Sequence, residues 1–385
     1  MKILYVGLKS DFICPTSARI AKIFSLIASN IRYCGPGYSD EYSSIDQLCD
    51  TFAPDFIVTT DYFLSLSEIL GRASVSQALY ETRRLPDFKP DEAQFRERYD
   101  HITSYLLKRR SIPLLVTTLE TDLYKASTNL ISLIDSADLI LGPGRQFTST
   151  IVESPRIHRE SFGHLANDLL ANLFESAQDR LVSFLDFVDC EDFHHPNSHQ
   201  REHLWCIPGV EYQYRKEAIR HLRNHGFNPQ HGRSLPGRLL YHHTLPNHIR
   251  RIGLDLYRGY FRSQLRASKL AYTCGSGGRA PVTKMFEIPA YGCLLVAEGF
   301  YNCSQAGFED GVNYIEAKPD DLAELTENIL NHQEDYNHIA NCGYRHVWQR
   351  HSLPARVNQL TTCLRAYLNG TFRGSEWSEG QYLLL

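Results

Sequence analysis

A glycine-rich segment followed by a lysine and a glutamate carries the strongest chemical signal in the sequence. Gly277, Gly278 and Arg279 come first, and Lys284 and Glu287 follow at a spacing of three residues. Glycine lets a backbone approach a pyrophosphate closely, and the start of a following helix offers unpaired N–H donors. Arg279 and Lys284 supply the positive charge that a departing diphosphate needs. Glu287 is placed to accept hydrogen bonds from a ribose diol, so the segment predicts a nucleotide diphosphate site.

Two histidines and an arginine are candidates for the same site. His242 and His243 follow the predicted strand 238–241, where a loop would face a cleft. Imidazole titrates near neutrality, so His242 is predicted to contact donor phosphate and His243 to act as an acid. Arg251 lies just beyond and is predicted to join the phosphate contacts. A purely structural role for both histidines is the alternative.

Carboxylates after two further predicted strands are candidates for the acceptor side. Asp122 follows the apolar run 113–117, and Asp61 follows the run 55–59. A carboxylate at such a place can orient or deprotonate an acceptor hydroxyl, although each could equally begin a helix as its N-cap. Tyr38, in the turn Gly-Pro-Gly-Tyr, is predicted to stack on a sugar ring.

The elements that must position these residues are read from short apolar runs. Continuous runs of four or five branched residues, separated by helix-length segments, are typical of strands that are buried on both faces of a parallel sheet. In the first half they predict strands at 2–6, 55–59, 113–117 and 138–141, with helices at 16–30 and 161–188. This alternation predicts a doubly wound α/β domain.

The second half repeats the pattern and predicts a second α/β domain. Predicted strands lie at 203–207, 238–241, 270–273, 293–297 and 314–316, and predicted helices at 214–225, 285–290 and 319–336. Two such domains leave a cleft at the carboxyl ends of their strands, where nucleotides bind. We predict an acceptor-side domain over residues 1–195, a nucleotide-binding domain over 196–352, and a helix with a tail over 353–385 that crosses back to the first domain.

Composition narrows the class of protein. The chain has 385 residues, of which 43% are hydrophobic and 22% charged, as in a globular protein of two domains. Its net charge of −4 gives no general attraction to nucleic acid or to anionic membranes. No apolar run approaches the about 18 residues of a membrane helix, and the N-terminus does not resemble a secretory signal. We therefore expect a cytoplasmic protein without a membrane span.

Other nucleotide and metal chemistries fit the sequence less well. Residues 6–9 contain one glycine where a dinucleotide fingerprint has three, and the chain has no P-loop. Ten cysteines are scattered without a Cys-x-x-Cys pair, and the histidines of 194–199 match no standard zinc spacing. We predict a solvated linker there and no metal site. Arg258, Arg262 and Arg266 recur every four residues and predict an amphipathic helix with a basic edge.

Residues 284–295, Lys-Met-Phe-Glu-Ile-Pro-Ala-Tyr-Gly-Cys-Leu-Leu, resemble the core motif of the CgeB-like glycosyltransferases within the glycosyltransferase group 1 assemblage. The similarity continues through 308–314 and ends in 340–351. It implies a GT-B fold, with two Rossmann-like domains facing a cleft. It also implies transfer of a sugar from a nucleotide diphosphate without a cofactor or an essential metal and with retention at the anomeric carbon.

By the same resemblance Glu287 holds the donor ribose, and Arg279 and Lys284 contact the diphosphate. Many retaining relatives carry a second glutamate eight positions before the ribose-binding one, whereas this sequence has Arg279. Two alternatives therefore stay open: a nucleotide-sugar epimerase, and a non-catalytic GT-B-derived protein that binds nucleotide sugars or serves in assembly. The predicted partner is a nucleotide sugar. The acceptor (glycan, small molecule, protein or nucleic acid) and the oligomeric state are left open.

Overall fold

The computed structural model of the protein describes residues 1–9, 15–38, 44–77, 91–108, 111–118, 128–142, 168–196, 201–209, 211, 213–240, 245–275, 281–300 and 303–385. Within them the chain forms two parallel sheets with helices around them and a short antiparallel hairpin near the C-terminus. No helix among these residues combines the length and the apolar character that crossing a bilayer requires.

The first sheet has six parallel strands in the order β2-β1-β3-β4-β5-β6. They are β1 (Lys2–Val6), β2 (Asn30–Cys34), β3 (Phe56–Thr60), β4 (Leu114–Thr117), β5 (Leu139–Gly142) and β6 (Leu181–Ser183). Their helices are α1 (Pro15–Ile27), α2 (Ile45–Phe52), α3 (Asp61–Leu70), α4 (Glu92–Lys108), α5 (Thr128–Asp135) and α6 (Asp168–Ser176).

Alternate residues of β1 face two different apolar cores. Ile3 and Tyr5 pack with Phe24 of α1 on one side of the sheet. Leu4 and Val6 pack on the other side. Because successive side chains of a strand point to opposite faces, a strand that is apolar throughout must be covered by helices on both faces. The doubly wound α/β architecture predicted from the sequence is therefore confirmed.

The second sheet has five parallel strands in the order β11-β10-β9-β7-β8. They are β7 (His203–Pro208), β8 (Gln230–Gly232), β9 (Ser268–Thr273), β10 (Leu294–Ala297) and β11 (Ile315–Glu316). Their helices are α7 (Gln213–Asn224), α8 (Leu235–Leu240), α9 (Asn247–Ala267), α10 (Thr283–Ala290), α11 (Leu322–Asn331) and α12 (Gln333–His351), followed by α13 (Leu353–Leu368) and the hairpin β12 (Ser375–Ser378) and β13 (Gln381–Leu384).

Three predictions of secondary structure were wrong, and one of them is the single helix over 319–336, which is interrupted at His332 between α11 and α12. Residues 238–240, which were predicted as a strand, belong to α8. The strand that joins the sheet in this region is β8, whose Gln-His-Gly sequence has no apolar residue. The helix predicted over 161–188 contains β6 at Leu181–Ser183. In these last two places the apolar run was too short for the spacing of its residues to distinguish a strand from a helix. β2 was not predicted, since its start, Asn-Ile-Arg, lacks a continuous apolar run.

The C-terminal helix α13 returns to the first sheet and packs against α1. Leu360 belongs to the same apolar core as Phe24. Arg356 is buried and donates hydrogen bonds to the carbonyls of Leu185 and Asp186 at 2.7 and 2.9 Å. These carbonyls belong to residues 184–192, the connecting segment, which leads from β6 toward the second sheet. The helix thus fixes the connecting segment against the first sheet.

Candidate functional site

A cavity of about 650 Å³ lies between the two halves of the chain. One wall comes from α1 and the connecting segment, and the other comes from α7, α9 and the first turns of α10. The charged and hydroxyl-bearing residues that line it are Arg19, Lys22, Asp189, Glu191, Asp192, Arg215, Tyr257, Arg258, Arg262, Thr283, Lys284, Glu287 and Tyr291. A cavity of this size with convergent polar groups is typical of a small-molecule site.

Lys284 stands in the first turn of α10, and its side chain lies over the backbone of Gly209. Gly209 follows β7 with a φ of +94°, and a Cβ at this position would clash with the Lys284 Nζ atom. Only glycine satisfies both the backbone conformation and this close approach. The end of β7 is thus shaped to admit the ammonium group of Lys284.

Arg215 of α7 is the second cation at this end of the cavity. Its side chain is 2% exposed and donates a hydrogen bond of 2.8 Å to the Thr273 hydroxyl at the end of β9. Burial, and then the positive charge of Arg215, lower the pKa of Lys284 to about 8. Holding two cations together in a partly dry cleft costs free energy in the absence of an anion. The arrangement is therefore suited to a doubly charged ligand such as a diphosphate.

Glu287 lies one turn after Lys284 on the same face of α10. Burial raises the pKa of Glu287 to about 7, while the charges of Arg19 and Lys284 oppose this rise and the nearby Asp186 reinforces it. The carboxyl group therefore changes its charge close to neutral pH. A carboxyl group can form hydrogen bonds to a diol in either protonation state.

The end of α10 explains why the motif contains proline and glycine. The Gly292 amide donates to the Pro289 carbonyl at 2.8 Å, and Gly292 itself has a φ of +71°. A Cβ on Gly292 would lie 2.6 Å from the His194 carbonyl oxygen, so a larger residue would push the chain apart. The Pro-Ala-Tyr-Gly run thus ends α10 sharply and starts β10, which fixes the helix that carries Lys284 and Glu287.

Three ion pairs tie the connecting segment to α1 beside it and to α9 on the opposite wall of the cavity. Arg19 and Lys22 of α1 lie 2.8 Å from Asp186 and Asp189, respectively. On the opposite wall Arg262 of α9 lies 3.0 Å from Asp192, whose carboxylate also accepts a hydrogen bond from the Tyr291 hydroxyl. These contacts hold the first and second halves of the chain around a common strip of carboxylates.

The carboxylates of Asp189, Glu191 and Asp192 lie within 4.8 Å of one another and form a candidate cation site among the described residues. Lys22 and Arg262 already neutralise two of them. Because two of the three carboxylates already have a protein cation beside them, the cluster is explained by the ion pairs without a metal ion.

The structure brings Lys284 and Glu287 together, as predicted from their spacing, but it places three other predicted residues away from the cavity wall. Arg251 lies on the exposed side of α9. Asp61 is fully buried as the first residue of α3 and accepts a hydrogen bond from the Tyr62 amide at 2.8 Å. Tyr38 stacks on Tyr33, with the ring centroids 5.2 Å apart. The other predicted site residues, Asp122, His242, His243, Gly277, Gly278 and Arg279, lie outside the described residues.

Sequence reasoning assigned no role at the site to Arg19, Asp186 and Arg215. Arg19 is separated from Asp186 by 167 residues and Arg215 from Thr273 by 58, so no local pattern connects them. The one signal was Arg215 itself, a basic residue six positions after Gly209, which follows a predicted strand. A basic residue at such a place commonly faces the carboxyl edge of a parallel sheet.

Residues 215–362 match the family model described as glycosyl transferase-like, a stretch that contains Arg215, Lys284 and Glu287. No curated protein matches the sequence. Among solved structures, the chain is similar to a sucrose-phosphate synthase from Thermosynechococcus elongatus, with 11% identity, a TM-score of 0.53, and coverage of 96% of this chain and 100% of the other.

A glycosyltransferase from Rickettsia africae is similar with 10% identity and a TM-score of 0.52, over 95% of this chain and 98% of the other. The DNA-modifying enzyme beta-glucosyltransferase is similar with 10% identity and a TM-score of 0.51, over 96% and 99%. At these identities the likeness concerns the fold. The chain therefore has the GT-B fold of two Rossmann-like domains, with a glycosyl transferase-like segment at residues 215–362.

Proposed function

We propose that the protein is a glycosyltransferase that moves a sugar from a nucleotide diphosphate to an acceptor. The observation that carries the proposal is the convergence of Arg215, Lys284 and Glu287 at one end of the cavity, inside the segment that matches the glycosyl transferase-like family. The beta-glucosyltransferase with the same fold has uridine diphosphoglucose as its substrate, which makes a uridine diphosphate sugar the first donor to test.

Arg215 and Lys284 bind the donor diphosphate in this proposal. Charge develops on the diphosphate as the bond to the sugar breaks, and two fixed cations in a partly dry cleft stabilise that charge in the transition state. Their presence also supports catalysis without a metal, because they supply the charge that a divalent ion would otherwise provide. Glu287 holds the ribose diol.

The sugar then points toward the connecting segment and α1, and the acceptor approaches from the first domain, residues 1–195. Closure of the cleft excludes water and so suppresses hydrolysis of the donor. The donor site is completed by Gly277, Gly278, Arg279 and His242, with Asp122 and His243 as acid–base groups, as inferred from the sequence. The proposal also includes the domain bounds, with the nucleotide-binding domain over 196–352 and the crossing segment over 353–385. It further includes membership of the CgeB-like group and retention at the anomeric carbon.

Donor binding and turnover test the proposal separately. We would titrate the protein with uridine, guanosine and adenosine diphosphate sugars in a calorimeter and then measure donor hydrolysis with the best binder. Glu287→Ala should weaken binding of that donor, whereas Glu327→Ala, at an exposed position of α11, should leave it unchanged. Equal affinity in the Glu287→Ala variant would remove the ribose assignment.

Binding without hydrolysis or transfer would favour a non-catalytic protein, and an isomerised donor without an acceptor would favour an epimerase.

A further inference from the structure

A second cavity, of about 320 Å³, lies at the amino-terminal edge of the second sheet. The starts of β7, β9 and β10 form its floor, and the end of α11 and one side of α12 cover it. Arg215 and Lys284 lie instead at the opposite edge, where β7 and β9 end. No residue lines both this cavity and the larger one, so the second cavity is a separate site.

The floor of the second cavity is apolar. Leu270 and Leu294 are 2% exposed and belong to the core between the sheet and α11, whereas Leu330 is 42% exposed at the rim. The aliphatic side chains that line the cavity are Leu204, Leu270, Leu294, Ile329, Leu330 and Ala340. A pocket of this size with an aliphatic floor and few polar groups at its rim is suited to a ligand with an apolar body.

Two charged side chains line the second cavity, and both are cations, Arg201 and Lys269. Arg201 donates hydrogen bonds to the carbonyl oxygens of Leu265 and Tyr291 at 3.1 and 2.8 Å. It also donates to the Cys293 Sγ atom at 3.3 Å. Within the described part of the chain, neither Arg201 nor Lys269 forms an ion pair with a carboxylate. The second cavity is therefore positively charged.

Lys269 is the cation that is left to bind an anion, because the guanidinium of Arg201 is directed at backbone carbonyls. The Lys269 side chain is exposed at the start of β9. Gln333 and Asn337, four residues apart on one side of α12, add amide donors at the rim. Among the described residues no aspartate or glutamate lines the cavity. A single ammonium group matches a ligand with one negative charge.

We propose that the second cavity binds a small amphipathic carboxylate, whose aliphatic chain lies on the apolar floor and whose carboxylate contacts Lys269. Removal of the chain from water is favourable in proportion to its area, and the charged hydrogen bond fixes its orientation. A free inorganic anion would gain nothing from the aliphatic floor, and an amphipathic cation would be repelled by Arg201 and Lys269. The proposal does not depend on glycosyl transfer, since it uses no residue of the donor site.

Calorimetric titration of the full-length protein with octanoate tests the proposal. Octylammonium has the same chain with the opposite charge, and acetate has the carboxylate without the chain. We expect saturable binding of octanoate with a Kd on the order of 1 mM. Binding of octylammonium and of acetate should be at least about tenfold weaker, because each lacks one of the two contributions.

Two variants separate the charge from the apolar floor. Lys269→Met removes the charge but keeps the length of the side chain, and the Kd for octanoate should rise at least about tenfold. Leu330→Ser removes part of the aliphatic rim and should raise the Kd roughly fivefold. Lys216→Met and Leu26→Ser, at exposed positions of α7 and α1, are the matched controls and should leave it unchanged. Thermal unfolding shows whether each variant is folded.

The larger cavity also contains cations, so octanoate binding there has to be excluded. Saturating uridine diphosphate and the Lys284→Met substitution should both leave the Kd for octanoate unchanged. Displacement of octanoate by uridine diphosphate, or loss of its binding in Lys284→Met, would overturn the proposal. So would absence of octanoate binding, equal binding of octylammonium or acetate, or an equal loss of affinity in the control variants.

Discussion

Arg19 of α1 forms an ion pair of 2.8 Å with Asp186 of the connecting segment. The same aspartate accepts a hydrogen bond from the Thr283 hydroxyl in the first turn of α10. One carboxylate therefore links a helix of the first domain to the helix that carries Lys284 and Glu287. If the first domain moves relative to the second, either the ion pair or the hydrogen bond of Asp186 has to break, or α1 and α10 have to move together.

The first prediction concerns the charge of Glu287. The charge of Arg19 is the largest influence that lowers the pKa of this carboxyl group, so Arg19→Met should raise the pKa of Glu287 above about 7. Lys22→Met is the matched control, because Lys22 lies on the same helix and pairs with Asp189 instead. The pKa of Glu287 is measured by NMR titration of the labelled carboxyl carbon. A pKa that moves equally in both variants would contradict the assignment.

The second prediction concerns Lys284. Lys284→Met removes the charge but keeps a long unbranched side chain over Gly209, so the protein should fold and lose donor affinity. A hydrogen bond to a charged group contributes about 1.5–3 kcal/mol, and we expect the Kd for the nucleotide diphosphate sugar to rise roughly 10- to 150-fold. Calorimetry measures the Kd. Lys269→Met, at an exposed position of β9, should leave it unchanged.

The third prediction separates backbone strain from displacement of Lys284. Gly209 and Gly226 both have positive φ, +94° and +85°, but a Cβ on Gly226 would meet nothing within 4 Å. Gly209→Ala and Gly226→Ala should each lower the free energy of unfolding by about 1–2 kcal/mol, because alanine adopts this conformation at a cost. Only Gly209→Ala should also weaken donor binding, since its Cβ forces the ammonium group aside. Similar donor affinity in both variants would show that the Lys284 side chain does not need this turn.

The sequence predicted the fold better than the site. Branched apolar runs such as the one in β3 mark buried parallel strands because such strands have no polar face, and most of the sheet follows from them. Strand β8 has no such run and is positioned by its neighbour β7, so it was missed. At the site, Lys284 and Glu287 were found because one helix carries both. Arg19 and Arg215 were not, because tertiary packing brings them from distant elements.

The fourth prediction concerns the pH dependence of stability. The pKa of Glu287 is raised from 4.5 to about 7, so the folded protein holds a proton that the unfolded chain has lost between these values. Compared with a protein that has a neutral side chain at this position, the free energy of unfolding therefore falls as pH rises from 4.5 to 7. Above pH 7 this loss of stability from burying the ionised carboxylate is complete. Glu287→Gln removes this cost.

At pH 8 Glu287→Gln should be more stable than the parent protein by on the order of 2 kcal/mol, and at pH 5 the gain should largely vanish. Thermal unfolding at the two pH values measures the difference, and Glu327→Gln, with an exposed carboxylate, should show no change with pH. Lys284 changes the stability in the opposite direction with pH, because burial lowers its pKa from 10.5 to about 8. The loss of stability from burying its charged ammonium group is complete below pH 8 and decreases above it. Both costs are thus present between pH 7 and 8. If Glu287→Gln raises the free energy of unfolding equally at pH 5 and pH 8, the pKa of Glu287 is not raised in the folded protein. The surroundings of Glu287 in the cavity would then not be as described.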